Sequence, residues 1–180
     1  MTPAEGGTLL AIARAAVASE LGLPAASVGA LTPALAEPLG VFVTLATRTP
    51  HGLRGCVGFV EARRPLAEGV AEAARAAAFR DSRFAPVTAA EYPGLGFEVS
   101  VLSRPEPIAP TDVTVGVHGL ILRHAGRSGL LLPQVPGEYG WNREQFLEAL
   151  CRKAGLAPGA WKAPDAELLG FTAQVFEEES

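Results

Sequence analysis

The chain has 180 residues, 48% hydrophobic and 19% charged, a composition that specifies a globular fold and a length that buries a core without a metal or disulfide. A formal net charge of -4 without a continuous basic run argues against nucleic acid as a partner, since phosphate neutralisation dominates such binding. Cys56 and Cys151 lack CxxC or zinc-ligand spacing, no basic stretch followed by an apolar core opens the chain, and Gly, Pro or charge interrupts each apolar run; the expectation is a cytoplasmic protein with reduced thiols, no membrane attachment, no metal and no cofactor.

Thr2-Pro3-Ala4-Glu5 has the form of a capping box with proline at the first helical position, and Leu9, Ile12, Ala13, Ala16, Val17 and Leu21 follow at helical spacing up to Gly22. A connector with Pro24, Pro33 and Pro38 leads into a β-rich segment, Leu39 to Thr47. Thr49-Pro50-His51-Gly52 predicts a turn and Leu53 to Val60 the returning strand of a hairpin. Pro65 opens a helix to about Arg80, whose Val70, Ala73, Ala74, Ala77 and Ala78 form a small-residue face suited to a sheet. Residues 81–86 read as a loop, and Thr88-Ala89-Ala90-Glu91 as a second capping box on a short turn.

Gly96 to Ser103 alternates cleanly, with Phe97, Val99 and Val101 on one face and Glu98, Ser100 and Leu102 on the other. The stretch 105–112 reads as loop, Gly116 to Arg123 and Gly129 to Leu132 as a hairpin, and 133–140 as irregular loop. Asn142 with Gln145 predicts an N-cap for a helix from Arg143 to Ala154, and Leu168 to Phe176 a final strand. No βαβ fingerprint or repeat is present. The fold class is therefore α/β of the α+β type: a mostly antiparallel sheet with packed helices in a single domain, 1–180.

Leu53-Arg54-Gly55-Cys56-Val57-Gly58 places a cation, a thiol and two glycines in a strand. Alternation puts Arg54, Cys56 and Gly58 on one face. Glycine weakens a strand unless backbone must be approached closely, so Gly55 and Gly58 are candidates for admitting a ligand. The thiolate is the nucleophilic form of cysteine, and a free thiol has a pKa of about 8.5, so a guanidinium on the same face would favour reactivity. Cys56 is thus a candidate nucleophile and Arg54 its cation or an anion-binding group. Glu98, a carboxylate within a strand, needs a partner if buried and is a candidate acid/base. His118 is the candidate proton carrier by residue type. Arg83, Gln134 and Glu138, on polar loops, are candidate substrate-binding residues. Each has a structural reading as well: Cys56 as a small buried residue, Glu98 and Arg83 as members of ion pairs, His118 as a hydrogen-bonded structural histidine.

The LRGCVG hexapeptide resembles the hallmark of the AMMECR domain family. Ala77-Ala78-Phe79 with Asp81-Ser82-Arg83-Phe84, Glu98 to Ser103, His118-Gly119-Leu120, Gly129 to Val135, Glu138 to Trp141, and Cys151 to Leu156 with Trp161 extend the resemblance in order along nearly the whole chain. Val57, Ser82 and Asn142 stand where the family commonly has isoleucine, proline and aspartate. The resemblance implies an α/β fold with a larger and a smaller lobe and a groove near the cysteine motif. It carries no generally established activity. It also implies association with Memo-like and radical-SAM proteins, beside which such domains tend to be encoded. The leading expectation is a small enzyme using a thiol in a cleft on an unidentified small-molecule or protein substrate. The alternative is a non-catalytic binding or adaptor domain whose Cys-Gly motif shapes a groove.

Overall fold

A computed structural model describes residues 1–25, 27–48 and 52–178, so the predicted turn residues Thr49, Pro50 and His51 lie outside it. The helices are α1 (Pro3–Glu20), α2 (Pro33–Ala36), α3 (Leu66–Phe79), α4 (Val135–Tyr139) and α5 (Arg143–Lys153). The strands are β1 (Val41–Thr47), β2 (Gly52–Phe59), β3 (Leu95–Leu102), β4 (Glu106–Pro107), β5 (Gly119–His124), β6 (Arg127–Leu131), β7 (Glu167–Phe171) and β8 (Ala173–Glu177). They form two four-stranded sheets, ordered β2-β1-β3-β8 and β4-β7-β5-β6. The fold is α+β with antiparallel pairing of β1 with β2 and β3, and of β7 with β4 and β5. The chain divides into two compact units, 1–102 with 174–180, and 103–173.

In the first unit, α1 and α3 cover one face of the first sheet. The Thr2/Glu5 capping box starts α1, and Leu9, Ala13 and Val17 are fully buried. Ala73, Ala74, Ala77 and Ala78 of α3 lie in the same core as Val41, Val43 and Leu45 of β1 and Phe97 and Val99 of β3. The small side chains bring α3 close to β2: a Cβ built on Gly55 would lie 2.2 Å from the Ala77 carbonyl oxygen. At the other edge, the Phe176 ring fills the space a side chain on Gly6 would take. Arg14 then clasps the segment after β8. Its guanidinium donates to both Glu178 carboxylate oxygens and to the Leu95 carbonyl, and stacks over Phe97 at 4.6 Å.

In the second unit, Phe146, Leu147, Leu150 and Cys151 of α5 pack with Leu120, Leu122 and Leu168. The Asn142/Gln145 capping box opens α5 as predicted.

Three differences from the sequence reading have local causes. The expected final strand is two strands from different sheets, because Thr172 is drawn aside: its N–H donates to Ser103 Oγ and its carbonyl accepts from the Ser103 N–H, both at 2.9 Å. The predicted loop 133–140 contains α4, whose Pro136 sits in the first turn, where its missing donor costs nothing. The predicted loop 105–112 contains the two-residue edge strand β4, where Pro107 is tolerated.

Candidate functional site

β2 is an edge strand, so its outward backbone groups need partners from outside the sheet. At Cys56 they come from the loop after α3. The Cys56 N–H donates to Asp81 Oδ2 at 2.9 Å, and its carbonyl accepts from Arg83 Nη2 at 3.4 Å. Asp81 is itself gripped by Arg83 through Nε–Oδ1 at 3.0 Å and Nη2–Oδ2 at 2.7 Å. The Arg83 guanidinium, then the Cys56 and Arg83 N–H groups, hold the Asp81 carboxyl far below the usual carboxylate range.

With both backbone groups turned outward, Cys56 faces Thr44 of β1 as a non-hydrogen-bonded pair, the geometry that brings cross-strand side chains closest. The Thr44 hydroxyl donates to Cys56 Sγ at 3.4 Å. On its other side Thr44 pairs with Glu98 of β3, so the hydroxyl and the carboxyl are cross-strand neighbours. Cys56, Thr44 and Glu98 therefore form one row across three strands, on the face opposite the helices. Burial pushes the Glu98 carboxyl above its ordinary range and the Glu177 charge adds to this, while the hydroxyls of Ser100 and Thr44 oppose it. Thr44, Ala46, Arg48, Gly96, Glu98 and Glu177 line a cavity of about 200 Å³. The hydroxyl and the carboxyl thus open onto space a small molecule can enter.

Arg54 does not join this row. The pairing shifts between Leu45 and Ala46, so Gly55 faces Leu45, Leu53 faces Ala46, and Arg54 has no partner across the strand. Alternation fails at such a bulge. The Arg54 guanidinium goes instead to Glu91, at 3.0 Å and 3.4 Å. The bond from Arg54, with further bonds from the Thr88 N–H and hydroxyl, lowers the Glu91 carboxyl to about 2. The cation that senses the sulfur is Arg83, whose affinity for its proton is raised first by Asp81 and further by Cys56. The two glycines serve packing rather than an opening. Gly55 accommodates the Ala77 carbonyl, and the Phe42 ring lies where a Gly58 Cβ would be, 2.3 Å away.

The remaining sequence candidates, His118, Gln134 and Glu138, belong to the second unit. His118 Nδ1 accepts from the Thr114 N–H at 3.0 Å. Gln134 precedes α4 and Glu138 lies within it, both exposed. Thr44 and Asp81 are the site residues that sequence reasoning missed. The available signal for Thr44 was a hydroxyl at the centre of the Val41-Val43-Leu45 alternation, on the face opposite the core. Among the described residues no cluster of three or more His, Cys, Asp or Glu could hold a metal, and no helix is long and apolar enough to cross a membrane.

The AMMECR1 family model matches residues 10–176. The chain belongs to the AMMECR1 family. Protein MJ0810 of Methanocaldococcus jannaschii is 40% identical over 185 residues, covering 99% of this chain and 92% of its own length. Protein MK0488 of Methanopyrus kandleri is 47% identical over 156 residues, covering 82% of this chain and 75% of its own length. The crystal structure of uncharacterized protein PH0010 from Pyrococcus horikoshii superposes with a TM-score of 0.82 at 42% identity, covering 97% of this chain and 92% of that one. The AMMECR1 assignment accounts for the motifs on both units, since the matched span includes the Cys56 strand, the Asp81 loop and α5.

Proposed function

We propose that this AMMECR1-family chain is a small thiol enzyme in which Cys56 is the nucleophile and Thr44 passes its proton to Glu98. The observation that carries the reading is the single Thr44 hydroxyl that bonds the sulfur and stands directly across the strand from the carboxyl. A hydroxyl has one proton and donates to one acceptor at a time. In one state the thiol donates to Thr44 and Thr44 donates to ionised Glu98. In the other, protonated Glu98 donates to Thr44 and Thr44 donates to the thiolate. The raised proton affinity of Glu98 favours its use as the acceptor. The thiolate then attacks an electrophilic carbon, forming a C–S bond as the bond to the leaving group breaks, and Glu98 returns the proton to that group through Thr44. Attack of water on the thioester-type adduct releases the product acid and restores the thiol.

Two unpaired cysteines suit a reducing, cytoplasmic compartment. On this reading, the Memo-like or radical-SAM partner implied by the sequence resemblance would supply or accept the group carried by Cys56.

Iodoacetamide labelling of Cys56 tests the relay, with buried Cys151 as internal reference. Thr44→Val and Glu98→Gln should each slow labelling at neutral pH by about tenfold or more, a general base being typically worth roughly a hundredfold or above in a full reaction. Equal rates in the three proteins remove the relay and favour the adaptor alternative, in which the thiol is a wall of a groove.

A further inference from the structure

The first unit holds a cavity of about 400 Å³ beside the C-terminal end of β2, a volume ordinary for small-molecule sites. Its apolar wall is Leu39, Val41, Phe59 and Val60, with the bare backbone of Gly69 in α3. That wall is fixed. A Cβ on Gly40 would lie 2.8 Å from the Val60 carbonyl oxygen and 3.1 Å from that of Phe59, so the entry to β1 is pressed against the exit from β2. A Cβ on Gly69 would lie 3.3 Å from Val41 Cγ1, and the Leu66 N–H at the start of α3 donates to the Glu37 carbonyl at 3.0 Å, so the helix begins hard against the sheet. Phe59 shares a strand face with Val57, which packs on the core, yet its own ring stays exposed at the cavity. The charged side chains on the lining are Glu61, Arg63 and Arg64. Glu61 accepts from Arg63 Nε at 2.8 Å and from its Nη2, so these two offset each other. Arg64 is left over. Its stem passes Gly69, its guanidinium sits over the Phe59 ring at 5.9 Å, and among the described residues no carboxylate pairs with it.

We infer that this cavity binds a monocarboxylate with an apolar tail, the carboxylate taken by Arg64 and the tail laid along Leu39, Val41, Phe59 and Val60. The planar fork of a guanidinium matches a carboxylate, and its place over Phe59 sets that head group beside the apolar wall. One surplus positive charge on the lining suits one negative charge on the ligand; a second would stand uncompensated beside Glu61. The inference does not rest on Cys56 chemistry.

The test is titration of the full chain with octanoate, hexanoate, 1-octanol and octylammonium at constant ionic strength, by calorimetry and by NMR of the Gly69 amide and the Phe59 ring. Saturable binding of octanoate that moves both signals is expected. Hexanoate should bind about tenfold more weakly, for two lost methylenes. 1-Octanol should also bind about tenfold more weakly than octanoate, for the lost charge-assisted bonds, and octylammonium more weakly again. Arg64→Gln should bring octanoate down to the level of 1-octanol and leave 1-octanol unchanged, a difference that a general loss of apolar surface would not produce. Glu61→Gln leaves Arg63 without its counter-charge and should tighten octanoate several-fold. Phe59→Ala should weaken octanoate and 1-octanol alike, and Cys56→Ser should change neither. No saturable binding of octanoate, equal affinities for octanoate and 1-octanol, or undiminished octanoate binding in folded Arg64→Gln overturns the inference.

Discussion

The backbone N–H of Cys56 donates to the Asp81 carboxylate, and through this bond the loop after α3 seals the edge of the first sheet at its thiol. Asp81 answers two needs together, a donor on an unpaired edge and the positive charge of Arg83. Replacing it with alanine leaves a part-buried N–H without its acceptor and an arginine without its counter-ion. Asp81→Ala should lower stability by about 2–3 kcal/mol, read from urea unfolding. Labelling of Cys56 should quicken as the edge opens.

The same carboxyl sets a pH dependence. The folded-state pKa of Asp81 is depressed far below the unfolded value of about 3.9, and that of Glu91 is lowered to about 2 from an unfolded value of about 4.3. A depressed carboxyl contributes stability that is present above the unfolded pKa and lost as pH falls through the folded one. Stability should therefore fall below about pH 4, with the Glu91 share gone near pH 2. Asp81, with a side chain 6% exposed, should account for more of the loss than Glu91 at 41%, where solvent screens the pair. Urea midpoints measured from neutral to acid pH in wild type and Asp81→Asn check this: the variant should show the shallower slope.

Glu98 has the opposite sign. Its folded pKa is raised, chiefly by burial and then by Glu177. A raised group contributes stability below its unfolded pKa that is lost as pH rises through the folded value, so ionised Glu98 weakens the fold at neutral pH. Glu98→Gln should raise the neutral-pH unfolding midpoint, and the gain should vanish in acid. A gain in stability accompanied by a loss of Cys56 reactivity marks a group retained for chemistry rather than for the fold.

Helices α1, α3 and α5, the β1–β2 hairpin pairing and the inward faces of β1 and β3 were legible in the sequence, because periodicity and capping boxes are local. The site was legible only in part. Cys56 and Glu98 announced themselves as polar intrusions in strands. That Thr44 joins them depends on which residues of β1 face β2 and β3, and no single strand encodes its own register. Arg54 misled for a related reason: alternation places it beside the sulfur, but the register shift at Leu45/Ala46 belongs to the strand pair. The break between β7 and β8 is likewise made by Ser103, far away in sequence.

The glycines of the motif make a separate prediction. Alanine at Gly55 puts a methyl carbon 2.2 Å from the Ala77 carbonyl oxygen, and alanine at Gly58 puts one 2.3 Å from the Phe42 ring and 2.4 Å from the Val41 carbonyl oxygen. In both cases backbone has to move. Each substitution should destabilise by about 3 kcal/mol, the upper range for overpacking, in thermal or urea unfolding. If either glycine instead borders ligand space, its alanine variant will unfold like wild type and show only a binding defect.

Thr44 separates a relay from a packing contact most sharply. Serine keeps the hydroxyl and loses a methyl group; valine keeps the shape and loses the hydroxyl. A packing role predicts that Thr44→Ser is the more damaging change, since it leaves a small void between β2 and β3. A relay predicts the reverse order for reactivity: Thr44→Ser should label at Cys56 within a few-fold of wild type, and Thr44→Val should fall by about tenfold or more. Adding Glu98→Gln to Thr44→Val should then cost little more, because a proton path already cut at the hydroxyl no longer reaches the carboxyl. Additive losses in the double variant would mean that the two residues act on the sulfur separately.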